Sequence, residues 1–192
     1  MPTLTEPQLF AAFREFCQEN DFPADIEDTT PDEPNTIEAL NILVGSPAKV
    51  GAFEVFGLTG NGSYVAFWQA PGTDATQRLI CYLSSEGWSW GVCAGSFAEF
   101  LTLLPYGIGL ISTALFHCSQ AHHYPDDPLN VEELSQEFVP MFTAQMQEQY
   151  PDLSAYEAWL AQTTGLTIAA QPVARVIEAY YAHPNLEDWL DA

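Results

Sequence analysis

Gly51-Ala52-Phe53-Glu54-Val55-Phe56-Gly57-Leu58 runs into Thr59-Gly60-Asn61-Gly62-Ser63 and returns through Tyr64-Val65-Ala66-Phe67-Trp68-Gln69. Both flanks are rich in Phe, Val, Tyr and Trp, side chains that suit a pleated, half-buried surface. Between them sits Asn-Gly, the strongest short hairpin signal. The stretch therefore predicts two antiparallel strands, Gly51–Leu58 and Tyr64–Gln69, joined by a tight loop. Pro71-Gly72-Thr73-Asp74 marks the next turn. Arg78–Ser84 predicts a third strand, and its unbroken apolar run suits an interior place covered on both faces. Glu86-Gly87 turns the chain again, and Trp88–Ala94 predicts a fourth strand.

Outward from this block the pattern becomes helical. Ser96-x-x-Glu99 has the spacing of a capping box, and Phe97, Phe100, Leu101 and Leu104 share one face of a helix that stops at Pro105. Ile108–Phe116 predicts a buried apolar segment, and His122–Asn130 a polar, Pro-containing loop. Helices are predicted at Val131–Gln149, Leu153–Thr163 and Val173–Ala182, with a last turn at Leu186–Leu190. Gly165 and Pro184 act as stop signals. On the N-terminal side, Glu6–Asn20 places Leu9, Phe10, Phe13 and Phe16 on one stripe behind Thr5 as N-cap. Asp21 to Pro34 predicts a surface loop. Ile37–Val44 is too short for periodicity to separate helix from strand.

Composition bounds the functions. Four residues, Arg14, Lys49, Arg78 and Arg175, carry fixed positive charge against 26 acids, giving a net charge of −22 over 192 residues. With so few cations, phosphate backbones and anionic membranes offer little counterion release, so neither nucleic acid nor membrane is an expected partner. A basic protein would be attracted, although plain solubility explains the same charge. At 47% hydrophobic and 13% aromatic, the chain is too apolar to remain unfolded. The longest apolar run, around Tyr106–Phe116, is short of a membrane span. Met1-Pro2-Thr3-Leu4-Thr5-Glu6 has no signal-peptide character. Cys17, Cys81, Cys93 and Cys118 lie in apolar surroundings, as buried thiols do in a reducing cytoplasm. The acids concentrate toward both ends, leaving 39–125 nearly neutral.

Three blocks carry a family resemblance. They are Phe56-Gly57-Leu58-Thr59-Gly60-Asn61-Gly62-Ser63-Tyr64-Val65-Ala66-Phe67, then Ile80-Cys81-Tyr82-Leu83-Ser84-Ser85-Glu86-Gly87, then Val92-Cys93-Ala94-Gly95-Ser96-Phe97-Ala98-Glu99-Phe100-Leu101. In this order they resemble the SUKH superfamily. The resemblance implies an α+β fold, with a twisted, mainly antiparallel sheet backed by helices. That core would occupy 1–130, with 131–192 a C-terminal helical extension. The apolar residues of the extension, among them Phe138, Tyr156, Trp159 and Tyr180, need burial, so it is expected to pack on the same core. Bacterial members resemble immunity proteins that bind and occlude cognate toxins, many of them nucleases, and fungal members act as scaffolds. An acidic surface suits a basic toxin.

Catalytic chemistry has little support in the sequence. His117, His122, His123, Asp126 and Asp127, beside Cys118, are the residue types that bind Zn²⁺ or Mn²⁺, but they match no established ligand spacing, and no metal or cofactor is expected. Cys81 and Cys93 read as packing groups rather than thiolate nucleophiles. Glu86 and Glu99 read as turn and cap residues rather than as an acid–base pair. Trp88 and Trp90, two apart, would point to one face of a strand. If that face is core they are packing residues, and if exposed they are anchors for a partner. Asp25, Glu27, Asp28, Asp32 and Glu33 form the acidic half of the expected partner-binding surface. The sequence thus predicts a non-catalytic binding module: an immunity protein, a scaffold, or an acidic mimic of nucleic acid.

Overall fold

The hairpin forms at Asn61-Gly62, and the rest of the sheet grows from it. The structure is a computed structural model describing residues 4–22, 27–28, 34–73 and 78–192. Its strands are β1 (Glu27–Asp28), β2 (Phe53–Leu58), β3 (Tyr64–Trp68), β4 (Leu79–Leu83) and β5 (Gly91–Ala94). They lie side by side in sequence order, each antiparallel to the next. The helices are α1 (Glu6–Asn20), α2 (Pro34–Val44), α3 (Pro47–Val50), α4 (Phe97–Leu103), α5 (Gly107–His123), α6 (Val131–Gln149), α7 (Ser154–Thr164), α8 (Pro172–Ala182) and α9 (Leu186–Asp191). A 3-10 turn, Leu104–Tyr106, joins α4 to α5. The α+β class and the C-terminal helices agree with the sequence reading.

Every residue of β3 and β4 is buried, because helices cover both faces of the sheet. On one face Phe56, Val65, Phe67, Ile80 and Tyr82 meet α1, α4, α5 and the helices that follow. Phe10 of α1 packs edge-on against Phe56, Phe67 and Phe97, the geometry that aromatic quadrupoles favour. On the other face Phe53, Val55, Ala66, Trp68, Leu79 and Cys81 meet Leu40 and Val44 of α2 and Trp189 of α9. Helices from 131–192 thus contribute to both apolar clusters. Alternation lets β2 feed both layers, and a bulge at Phe56 shifts its register between Val55 and Gly57. Gly91 permits a close approach: a Cβ there would stand 2.7 Å from the Tyr180 ring, so α8 can lie directly on β5.

Several local expectations are corrected. Ile37–Val44 belongs to the helix Pro34–Val44. The fourth strand begins at Gly91, not Trp88, because Ser89 takes φ 88°, outside any strand conformation. Of the loop expected at Asp21–Pro34, residues 23–26 and 29–33 lie outside the described residues, while Glu27–Asp28 form a short strand rather than loop. The helical run Phe97–His123 is longer than the apolar run read from sequence, and it is long and apolar enough by composition to cross a membrane. It turns at Gly107, where φ is 76°, and 61% of its most apolar window is buried, so it serves as core. At α4 the Ser96 hydroxyl accepts the Glu99 N–H at 3.2 Å, but the Glu99 carboxylate takes the N–H of Gly95, one residue before the cap.

Candidate functional site

Strand register brings distant parts of the sequence to one end of the sheet. Glu27 pairs with Leu58, Leu58 with Tyr64, and Tyr64 with Leu83. This transverse row crosses four strands and is about 14 Å long at the usual strand spacing. At one end stands the acidic pair Glu27–Asp28. At the other, just past Leu83, begins the loop 84–90 that carries Glu86, Trp88 and Trp90.

That loop is built, not slack. Trp90 Nε1 donates to the Ser84 carbonyl at 2.8 Å, and the Gly87 N–H to the same carbonyl at 3.2 Å. The loop is also fastened to the hairpin beside it. Ser85 N–H donates to Ser63 Oγ at 3.0 Å, and Ser85 Oγ donates to the Asn61 carbonyl at 2.9 Å. Inside the hairpin, Ser63 N–H is shared between Thr59 Oγ1 and Asn61 Oδ1. Trp88 therefore projects from a fixed base, 59% exposed, while Trp90 is half-buried against the second cluster. The two indoles do not share a face as the sequence suggested, because the positive φ at Ser89 breaks the alternation. Of the predicted acids, Glu27 and Asp28 lie on this sheet end, whereas Asp25, Asp32 and Glu33 lie outside the described residues. Ser63 and Ser85, which join the loops, escaped the sequence reading because single serines carry no spacing signal.

The fixed cations are engaged within the chain. Arg78 pairs with Glu6 and Glu54 and lies over the Phe67 ring. Lys49 Nζ donates to the carbonyls of Trp189 and Leu190 at 2.8 and 2.9 Å. Arg175 pairs with Glu178 at 3.0 Å, and the Arg14 guanidinium lies over the Phe10 ring.

The groups considered for catalysis are dispersed. Glu86 stands before β5 and Glu99 beyond its far end, so they share no site. His122 pairs with Asp188 at 3.1 Å, His123 with Glu187 at 3.2 Å, and His117 packs between the Phe116 and Phe138 rings. No group of three or more His, Cys, Asp or Glu is placed to hold a metal among the described residues. Burial pushes the Cys17 and Cys118 thiols up to about 12, Glu187 adding to the effect at Cys118. Burial likewise raises Cys81, with Cys93 beside it, and Cys93 itself. Thiols held protonated are poor nucleophiles.

A concavity of about 530 Å³ opens at the opposite end of β5, between α4, α8 and the segment 166–170. Glu99 lies on it, and so does His183, which the sequence reading passed over because a single His after a helix has no motif around it.

Comparison of the chain with protein-family models, with curated proteins and with solved structures gives no match.

Proposed function

We propose that this chain is a non-catalytic binding module for a basic protein, engaged along the sheet end that holds Glu27–Asp28, the 59–63 hairpin and Trp88. The observation that carries the reading is the register row from Glu27 to Leu83, which aligns an acidic segment with a rigidly based, exposed indole. Aromatic anchors dominate binding energy when the surrounding surface is preorganised, and acids beside them speed the encounter with a basic partner. With the fixed cations occupied internally, the surface field is acidic, which suits a protein partner better than nucleic acid or membrane.

Within this class we read the chain as an immunity protein of the SUKH type, acting in the cytoplasm and neutralising a cognate toxin, such as a nuclease, by occlusion. The three sequence blocks support this reading, since they fall on β2–β3, on β4 with its turn, and on β5–α4.

The test is a pull-down with the tagged chain from extract of its native cell at low salt, eluted by a salt gradient and identified by mass spectrometry. The expected result is one basic protein near one-to-one, lost when Trp88 is replaced by Ala. Recovery of abundant basic proteins alone, indifferent to Trp88 and released by moderate salt, would favour the scaffold reading. Recovery of nucleic-acid-binding proteins that survive nuclease treatment and are displaced by added duplex DNA would favour the nucleic-acid mimic.

A further inference from the structure

The concavity beyond β5 has the size of a small-molecule site, about 530 Å³. Ala169, Ala170, Ala179 and Ala182 line it together with Leu103, Thr102, Thr167 and Ile168, and Leu166 stands 36% exposed among them. Its polarity comes from few groups. At the rim Arg175 and Glu178 neutralise each other at 3.0 Å. Glu99, itself exposed, lines the cleft: its Oε2 accepts the Gly95 N–H at 3.0 Å, and its second oxygen has no partner among the described residues. His183 makes no hydrogen bond or ion pair among the described residues.

Gly95 shows how closely these two side chains converge. A Cβ on it would lie 3.0 Å from His183 Nε2 and 3.1 Å from Glu99 Oε2. One side chain comes from α4 and the other from the end of α8, and both reach Gly95 on the wall of the cleft. An ammonium group has three donors and no acceptor, whereas a carboxylate and a neutral imidazole nitrogen both accept. Because the rim charges cancel, Glu99 sets the sign of the site, within a chain of net charge −22.

We infer that this cleft binds a small primary amine with an apolar body, its ammonium on Glu99 and His183 and its hydrocarbon against Leu166 and the alanines. The inference is independent of the partner-binding reading, since the cleft lies at the other end of β5.

Hexylamine, hexanoate and hexanol, probes of one length and three charges, would be titrated into the full chain by calorimetry at about 0.15 M salt, where diffuse surface attraction is screened. Hexylamine is expected to bind saturably at one site, hexanoate not at all, and hexanol more weakly than the amine. Glu99→Gln keeps an oxygen for the Gly95 N–H, as Gln8 supplies one for Thr5 at 2.9 Å. It should nevertheless weaken hexylamine about tenfold or more, the loss of one charge-assisted contact. Ala170→Trp, on the exposed rim, should block binding without altering the melting temperature. Absence of saturable amine binding would overturn the inference. So would amine binding that survives Ala170→Trp, or hexanol binding as tightly as the amine.

Discussion

The hydroxyl of Tyr156 donates to the carbonyl of Leu101 at 2.6 Å, the carbonyl that Pro105 cannot serve. In an uninterrupted helix Leu101 would receive the N–H of residue 105, but proline has none. Thr102, next in line, accepts the Ala169 N–H at 3.1 Å. The C-terminal part of the chain therefore completes the end of α4. Tyr156→Phe removes one hydroxyl from a fully buried site and orphans that carbonyl. It should cost about 1–2 kcal/mol in urea unfolding, with no change in the m-value. A cost near zero would mean that the carbonyl finds another donor.

Lys49 does the equivalent for α9, whose last carbonyls it binds while its ammonium lies 5.4 Å from the Trp189 ring centre. Lys49→Met keeps the apolar stem and removes the donors. The expected loss is about 1–3 kcal/mol, as for hydrogen bonds to a charged group. Near-UV circular dichroism should change with it, since Trp189 packs on Trp68 at 5.4 Å.

Trp88→Ala separates binding from folding. The side chain is exposed, so stability should shift by less than about 0.5 kcal/mol. Retention of the basic partner in the pull-down should fall sharply, as at an interface hot spot. A variant that unfolds readily would instead place Trp88 among the packing residues.

Gly91→Ala tests the contact of α8 with β5. The new methyl would stand 2.7 Å from Tyr180 and 3.1 Å from Leu115, so the helix must shift. Overpacking of this kind costs about 1–3 kcal/mol. Trimming the ring with Tyr180→Leu in the same chain should recover part of the loss, measured as a coupling energy in a double-mutant cycle.

Alkaline pH should unfold the protein early. Burial lifts Cys17 and Cys118 from an ordinary 9.0 to about 12, and raises Cys81, Cys93, Tyr156 and Tyr180 as well. The unfolded chain therefore loses these protons first as pH rises. Their contribution is complete below about pH 9 and is lost progressively toward about pH 12. Urea midpoints should be level from about pH 7 to about pH 9 and then decline. A level profile to about pH 11 would contradict the burial of these groups.

The hairpin, the fully buried β4 and the C-terminal helices were legible because each depends on local patterning: Asn-Gly chemistry, an apolar run, or a helical stripe. The helix Val131–Gln149 emerged with the predicted ends. What escaped was set by single backbone angles and by long-range pairing. Ser89 at positive φ ended the expected strand early and separated Trp88 from Trp90, and no propensity foretells that. The strand Glu27–Asp28 exists because β2 offers it a partner, not because Glu and Asp favour strands. The candidate sheet end was half legible: its acids and Trp88 were named from sequence, but their alignment is a property of register.

The strand order has a kinetic consequence. From β2 to β5 each strand pairs with its sequence neighbour across a connection without helices, so this part of the sheet can zip from one hairpin to the next, whereas β1 joins only after α2 and α3. The seal over Trp68 and Phe53 is of another kind, since the Lys49 contact to α9 joins residues 140 apart. Early in folding, then, the meander has one face awaiting its lid, and the indole and phenyl rings of that face are its adhesive surface. How long α9 takes to dock will govern how much chain is lost to self-association on refolding.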